Sequence, residues 1–175
     1  MNFPSHFIHL IMVCLSTTSF SFLINSQPKG FVKPSRGLRQ GDPISPYLFL
    51  LCTEGFSALI RKAVSDGHIH PIILSRNGSA ISHLLFTDDI LLFTRASIAD
   101  CLSIKNILSI YETESGQKIN FDKSEMSFSR AISEDRQSYL CQVMGIKGVD
   151  NHVKYLGLLT LIGKSKKYIF SFLKE

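Results

Sequence analysis

Three short stretches hold side chains whose types and spacing suit chemistry on phosphates. Asp88 and Asp89 are neighbours between two apolar runs, Ile81 to Phe86 and Ile90 to Phe93. Adjacent carboxylates repel each other, and a bound divalent cation relieves that repulsion. Hard oxygen donors suit Mg²⁺, and Mg²⁺ beside phosphates supports in-line phosphoryl transfer. Aspartate is also an ordinary hairpin residue, so an exposed turn would carry the pair with no metal at all. The second stretch is Arg36-Gly37-Leu38-Arg39-Gln40-Gly41-Asp42-Pro43. Gly37 and Gly41 let a backbone approach a ligand closely. Arg36 and Arg39 can meet phosphate oxygens, and the Gln40 amide can bond a base or a sugar. The plainer reading is a loop with two solvated arginines. The third stretch is Ser115-Gly116-Gln117-Lys118-Ile119-Asn120, followed by Lys123. A lysine there can serve a phosphate as a charge or as a proton donor; a helix C-cap followed by an exposed strand explains the same residues. His68 and His70 read as loop residues, His83 as a packed histidine, and Glu54 as a buried hydrogen-bonding group.

The elements that must position these groups form a mixed α and β pattern. Pro4 and Ser5 open a helix to about Leu15, and Phe20 to Ile24 is strand-like. Asn25 to Gly30 reads as a turn, with Phe31 to Lys33 returning as the second strand of a hairpin. Ser45 suits an N-cap with Pro46 at the first helical position. The helix that follows runs to about Val64 and is apolar nearly all round, which predicts deep burial. Thr87, Asp88 and Asp89 separate two strands of a hairpin. A helix from about Ile98 to Glu114 stops near Gly116. Lys118 to Phe121 and Glu125 to Phe128 read as another strand pair. Ser133 caps a helix to about Val143, Tyr155 to Leu161 is strand-like, and Ser165 to Leu173 begins an amphipathic helix.

A chain of 175 residues is enough to bury a core. Its formal net charge of +5 is compatible with a nucleic-acid partner. Cys14, Cys52, Cys101 and Cys141 are far apart and have no histidine at ligand spacing, so a zinc site is not expected. Each lies in an apolar stretch, where a buried free thiol is the usual outcome, and a reducing intracellular setting (nucleus or cytoplasm) is expected. Phe7 to Leu15 looks somewhat like a signal peptide, but no Lys or Arg precedes it and the run is too short to span a membrane. It is read as a core helix, and no membrane partner is expected.

The order of the stretches is what carries a resemblance. Arg36 to Pro46 (RGLRQGDPISP) resembles motif B of LINE-type (non-LTR) retrotransposon reverse transcriptases. Phe86 to Asp89 (FTDD) resembles motif C, with Thr87 where that family usually has alanine. Ser115 to Ser124 (SGQKINFDKS) resembles motif D, and Lys154 to Leu158 (KYLGL) motif E. Phe3-Pro4 and Ile24-Asn25-Ser26 resemble the helix and hairpin before motif B. The style is similar to the copies found in flowering plants, and the resemblance covers nearly the whole chain.

The resemblance implies an α+β fold: a reverse-transcriptase palm-like antiparallel sheet with helices packed on one face, incomplete here. It implies a partial palm over residues 1–162 and the start of a palm–thumb connection over 163–175. Asp88 and Asp89 would bind Mg²⁺ and Lys118 or Lys123 would be the motif D lysine. Arg36, Gly37, Arg39, Gln40 and Gly41 would serve nucleotide and template, and Tyr155, Leu156 and Gly157 would lie near the primer grip. The partners would be an RNA template, a DNA primer and deoxynucleotides. The resemblance also places motif A and the fingers before Met1 and the thumb beyond Glu175, so the chain alone is expected not to polymerise. Two other readings compete: a non-catalytic nucleic-acid-binding module, and a small secreted or membrane-associated protein.

Overall fold

The computed structural model describes residues 2–35, 37–75, 78–149, 154–155 and 158–159. It divides into two compact units, residues 1–50 and 51–175.

The first unit opens with helix α1 (Ser5–Ser16) and a hairpin of β1 (Phe20–Ile24) and β2 (Gln27–Val32). The turn is tighter than expected. Asn25 and Ser26, at φ 51° and 59°, form a two-residue connection, and β2 starts at Gln27. Positive φ at both central residues matches the right-handed twist of the flanking strands, which is why Asn suits the first of them. Gly30 (φ 74°) accompanies a bulge between Phe20 and Phe22. None of the described residues of this unit is buried, α1 included, so the expected core helix lies on the surface.

Helix α2 (Ser45–Ser65) begins in the first unit and provides much of the core of the second. In the second unit its buried residues are Phe56, Ser57, Ile60 and Ala63, which recur at helical spacing along one stripe. The expected burial all round therefore fails: Leu50, Glu54 and Arg61 are exposed, so the helix is one-sided.

Helix α3 (Ile98–Ser115) lays Cys101, Ile104, Leu108 and Tyr111 on one face. Ser97 caps its start by accepting from the Asp100 N–H, and Gly116 (φ 70°) ends it. Helix α4 (Glu134–Met144) buries Leu140 and Met144 and ends at Gly145 (φ 73°). Ser133 holds the cap position there but makes no side-chain cap bond. Phe56 and Tyr111 join α2 to α3 with ring centroids 4.9 Å apart. Lys105 on α3 donates to the Val143 carbonyl (2.9 Å), and Arg136 on α4 donates to the Ala96 carbonyl (3.0 and 3.2 Å).

The strands pair in twos: β3 (Ile72–Ile73) with β4 (Ala80–Ile81), β5 (His83–Phe86) with β6 (Asp89–Leu92), β7 (Glu125–Met126) with β8 (Lys147–Gly148), and β9 (Lys154–Tyr155) with β10 (Leu158–Leu159). The architecture is mixed α+β, as expected. Among the described residues the strands form separate two-stranded ladders. The predicted strand over Lys118 to Phe121 does not form. The Ile119 N–H donates to the Glu112 carboxylate (2.8 Å) and is no longer available to a ladder. β7 instead pairs in parallel with β8. The single strand predicted over Tyr155 to Leu161 is replaced by two short strands, β9 and β10, that pair antiparallel with each other; the other residues of that stretch and the helix after it lie outside the described residues.

Candidate active site

The aspartate pair sits on the β5–β6 hairpin. Its register is His83↔Leu92, Leu84↔Leu91, Leu85↔Ile90 and Phe86↔Asp89, leaving Thr87 and Asp88 as the turn. Asp89 is thus the first residue of β6, where the sequence placed it in the turn. Alternation sorts the hairpin into two faces. Leu85, Ile90 and Leu92 pack against the helical core, while Leu84 and Phe86 are exposed. The helices therefore cover one face and the aspartates project from the rim, both exposed to solvent. Thr87 Oγ1 donates to Asp88 Oδ1 (2.9 Å).

Thr87 carries φ 49°, in the left-handed region that a β-branched residue rarely occupies. Thr87→Gly is expected to relieve that strain. Part of the gain is offset by the greater freedom of glycine in the unfolded chain, so the net stabilisation should be about 0.5–1 kcal/mol. A rise in the thermal midpoint checks this; a fall would show that the turn is unstrained.

The stretch that carries Lys118 and Lys123 is fastened to the same core. Ile119 packs against it, and Glu112 accepts from the Ile119 N–H. The Lys118 ammonium lies 3.6 Å from the other Glu112 oxygen. Lys123 is exposed on a turn in which its N–H bonds Asn120.

The glycine–arginine loop belongs to the first unit. Gly37 and Gly41 have φ of 82° and 83°, which explains glycine at both places. Asp42 Oδ1 accepts from the Ile44 N–H (3.0 Å). Ser45 Oγ donates to the Arg39 carbonyl (2.8 Å), so Ser45 fastens the loop where a cap was expected. Gly37, Leu38 and Arg39 line a cleft of about 130 Å³ with Leu15, Thr18, Phe20 and Pro34. Arg39 and Gln40 are exposed. Arg36, Leu156 and Gly157 lie outside the described residues, and Tyr155 is described only as part of β9.

Several side chains differ from expectation. Glu54 is exposed and pairs with Arg61, one helical stripe away from the core. Of the cysteines only Cys101 is buried; Cys52 and Cys141 are half-buried and Cys14 exposed, and all four are free thiols. Burial raises the thiol pKa of Cys52, Cys101 and Cys141. His83 is packed as read, with Nε2 2.9 Å from Ser57 Oγ and Nδ1 2.9 Å from Ser82 Oγ. Burial first, then the Arg61 charge, lower its pKa. His70 lies in a loop, as read, and is tied there to Asp100.

Sequence reading missed Asp100, which is 1% exposed. It accepts from the Thr94 hydroxyl (2.6 Å), the His70 N–H (2.7 Å) and the Ser97 hydroxyl. His70 Nδ1 lies 3.1 Å from it. A carboxylate only accepts, so this His70 nitrogen carries the proton. Burial pushes the Asp100 carboxyl up, but the bonds from Ser97, Thr94 and His70 outweigh it and hold the pKa down at about 2. Ser97 and Asp100 have capping-box spacing, the one local signal that pointed here.

The acidic hairpin is a donor set of hard oxygens, which suits a divalent cation. Among the described residues no group of three or more His, Cys, Asp or Glu side chains converges on it or elsewhere. No helix among them is long and apolar enough to cross a membrane.

Fold and site together describe a mixed α+β domain that presents paired carboxylates on a hairpin rim. Residues 1–160 match the family reverse transcriptase (RNA-dependent DNA polymerase), and the chain belongs to that family. It is also similar to an uncharacterized mitochondrial protein of Arabidopsis thaliana, 59% identical over 68 residues. That stretch is 39% of this chain and spans 56% of the length of the relative.

Proposed function

We infer that the chain is part of the palm of a LINE-type (non-LTR) reverse transcriptase, working inside the cell on an RNA template, a DNA primer and deoxynucleotides. Residues 1–162 form the partial palm and 163–175 begin the connection to a thumb. The observation that carries this is the β5–β6 hairpin: in a chain of this family, it sets the neighbouring residues Asp88 and Asp89 at an exposed rim, with Leu85, Ile90 and Leu92 packed against the helical core.

Enzymes of the family generally use divalent metal ions, and Mg²⁺ held by Asp88 and Asp89 would stabilise the attacking and leaving oxygens of nucleotidyl transfer. The chain's own residues do the positioning. Gly37 and Gly41 give the loop its close-approach backbone, Arg36 and Arg39 meet phosphates, and Gln40 bonds a base or sugar. Tyr155, Leu156 and Gly157 serve the primer end. Lys118 is partly neutralised by Glu112, whereas Lys123 stands exposed on its turn, which favours Lys123 as the lysine that meets phosphate or donates a proton.

Two adjacent carboxylates are too few to hold both ions of a two-metal site. The 175-residue protein by itself should therefore give no Mg²⁺-dependent extension. Grafted in place of the matching segment of an active family member, residues 1–160 should support primer extension on RNA, and Asp88→Asn in the graft should abolish it. Equal extension with asparagine at that position would remove the hairpin from the chemistry.

A further inference from the structure

We propose that Asp100 is a positioning residue for the aspartate pair: it clamps the base of the β5–β6 hairpin to the start of α3 and so sets the pose of Asp88 and Asp89. The inference rests on the functional reading above, because it gives the hairpin's pose a purpose.

An isolated two-stranded hairpin is marginal in water, and among the described residues β5–β6 has no third strand. Its pose must come from docking. One anchor is the apolar face, through Leu85, Ile90 and Leu92. The other is the exit of β6, where three consecutive residues are pinned. The Phe93 N–H donates to the Ser82 carbonyl (2.8 Å), and the Arg95 N–H to the His70 carbonyl (3.1 Å). Between them the Thr94 hydroxyl donates to Asp100 (2.6 Å).

Asp100 is the point where three segments meet. Thr94 follows β6, His70 follows α2, and Ser97 caps α3, and all of them donate to one buried carboxylate. Bonds to an ionised acceptor are stronger than neutral ones. Truncating one donor leaves a buried charge short of a partner. Asp89 lies five residues before Thr94, about 17 Å of extended chain, so a small rotation at this base displaces the acidic tip. An ordinary capping-box acid at this third helical position would need only Ser97 and the helix N-terminus. The bonds to His70 and Thr94 have no part in capping, and they lead to the hairpin.

The test is amide hydrogen exchange on the whole chain, combined with Mn²⁺ broadening of amide resonances. Thr94→Val removes only the strand-side donor and keeps the side-chain shape. β5 and β6 amides should then exchange about tenfold faster, while those of Leu108, Tyr111 and Leu140 keep their rates. Thr94→Ser, which restores the hydroxyl, should return the hairpin to parent rates. Asp100→Asn should show the same local loosening, and Thr94→Val carries the test alone where that variant fails to fold. Mn²⁺ should broaden the Asp88 and Asp89 amides at a higher concentration in Thr94→Val than in the parent. Uniform acceleration in every element, or unchanged hairpin rates, would overturn the clamp. If the parent hairpin shows no selective Mn²⁺ broadening, the metal reading fails, and the exchange pattern still decides the role of Asp100.

Discussion

Phe56→Ala destabilises the second unit by about 3–5 kcal/mol, the usual cost of emptying an aromatic site in a packed core. Phe56 is 1% exposed and its ring meets that of Tyr111 at 4.9 Å, so the substitution removes both buried area and a ring contact. Domains have total stabilities of roughly 5–15 kcal/mol, so the loss is a large part of the whole. The chain has no tryptophan, and the near-ultraviolet signal of its tyrosines reports the change. Denaturant titration should show the midpoint falling sharply, with the Tyr111 environment lost early. A midpoint within the range of surface substitutions would mean that α2 and α3 do not pack through these rings. The same core carries Leu85, Ile90 and Leu92, so its loss should also release the acidic hairpin.

The second large effect is acid destabilisation through Asp100. Its folded pKa of about 2 lies below the ordinary value of 3.8. A depressed carboxyl pKa stabilises the fold above the unfolded value, and that contribution is lost as pH falls through the folded one. Stability from this group is thus complete above about pH 4 and disappears toward pH 2, an amount of about 2 kcal/mol. Asp100→Asn should flatten that part of the stability-against-pH curve, because its side chain does not titrate. Unfolding free energies of parent and variant between pH 2 and pH 5 check this. Parallel curves would show that Asp100 is not the carboxylate responsible.

The helices were legible because their signals are local. Cys101, Ile104, Leu108 and Tyr111 recur at helical spacing, and Gly116 and Gly145 terminate their helices in left-handed conformations. The acidic hairpin was legible for the same reason: two apolar runs flank a polar break, and the register moves Asp89 by only one position, from turn to strand. What failed depended on partners distant in sequence. The strand expected over Lys118 to Phe121 does not form, because Glu112 takes the Ile119 amide. β7 finds its parallel partner at Lys147–Gly148, a pairing no local pattern reveals. The burial of α2 was overestimated because apolar content alone does not say which stripe meets a neighbour; Tyr47 and Leu50 are exposed. Asp100 was visible only as half of a capping box, since His70 stands thirty residues before it. For the loop of Gly37 and Gly41, the residue types marked a backbone free to approach a ligand, whereas its left-handed conformations and the Ser45 bond to Arg39 needed coordinates.

The hairpin as a metal site is tested most directly by titrating isotopically labelled protein with Mn²⁺ and following which amides broaden first. The amides of Thr87, Asp88, Asp89 and Ile90 should lead, and Asp88→Asn should abolish that lead while leaving the fold unchanged. Broadening that begins at Asp122 or at Glu134 and Asp135 instead, or that keeps its order in the Asp88→Asn protein, would contradict the assignment.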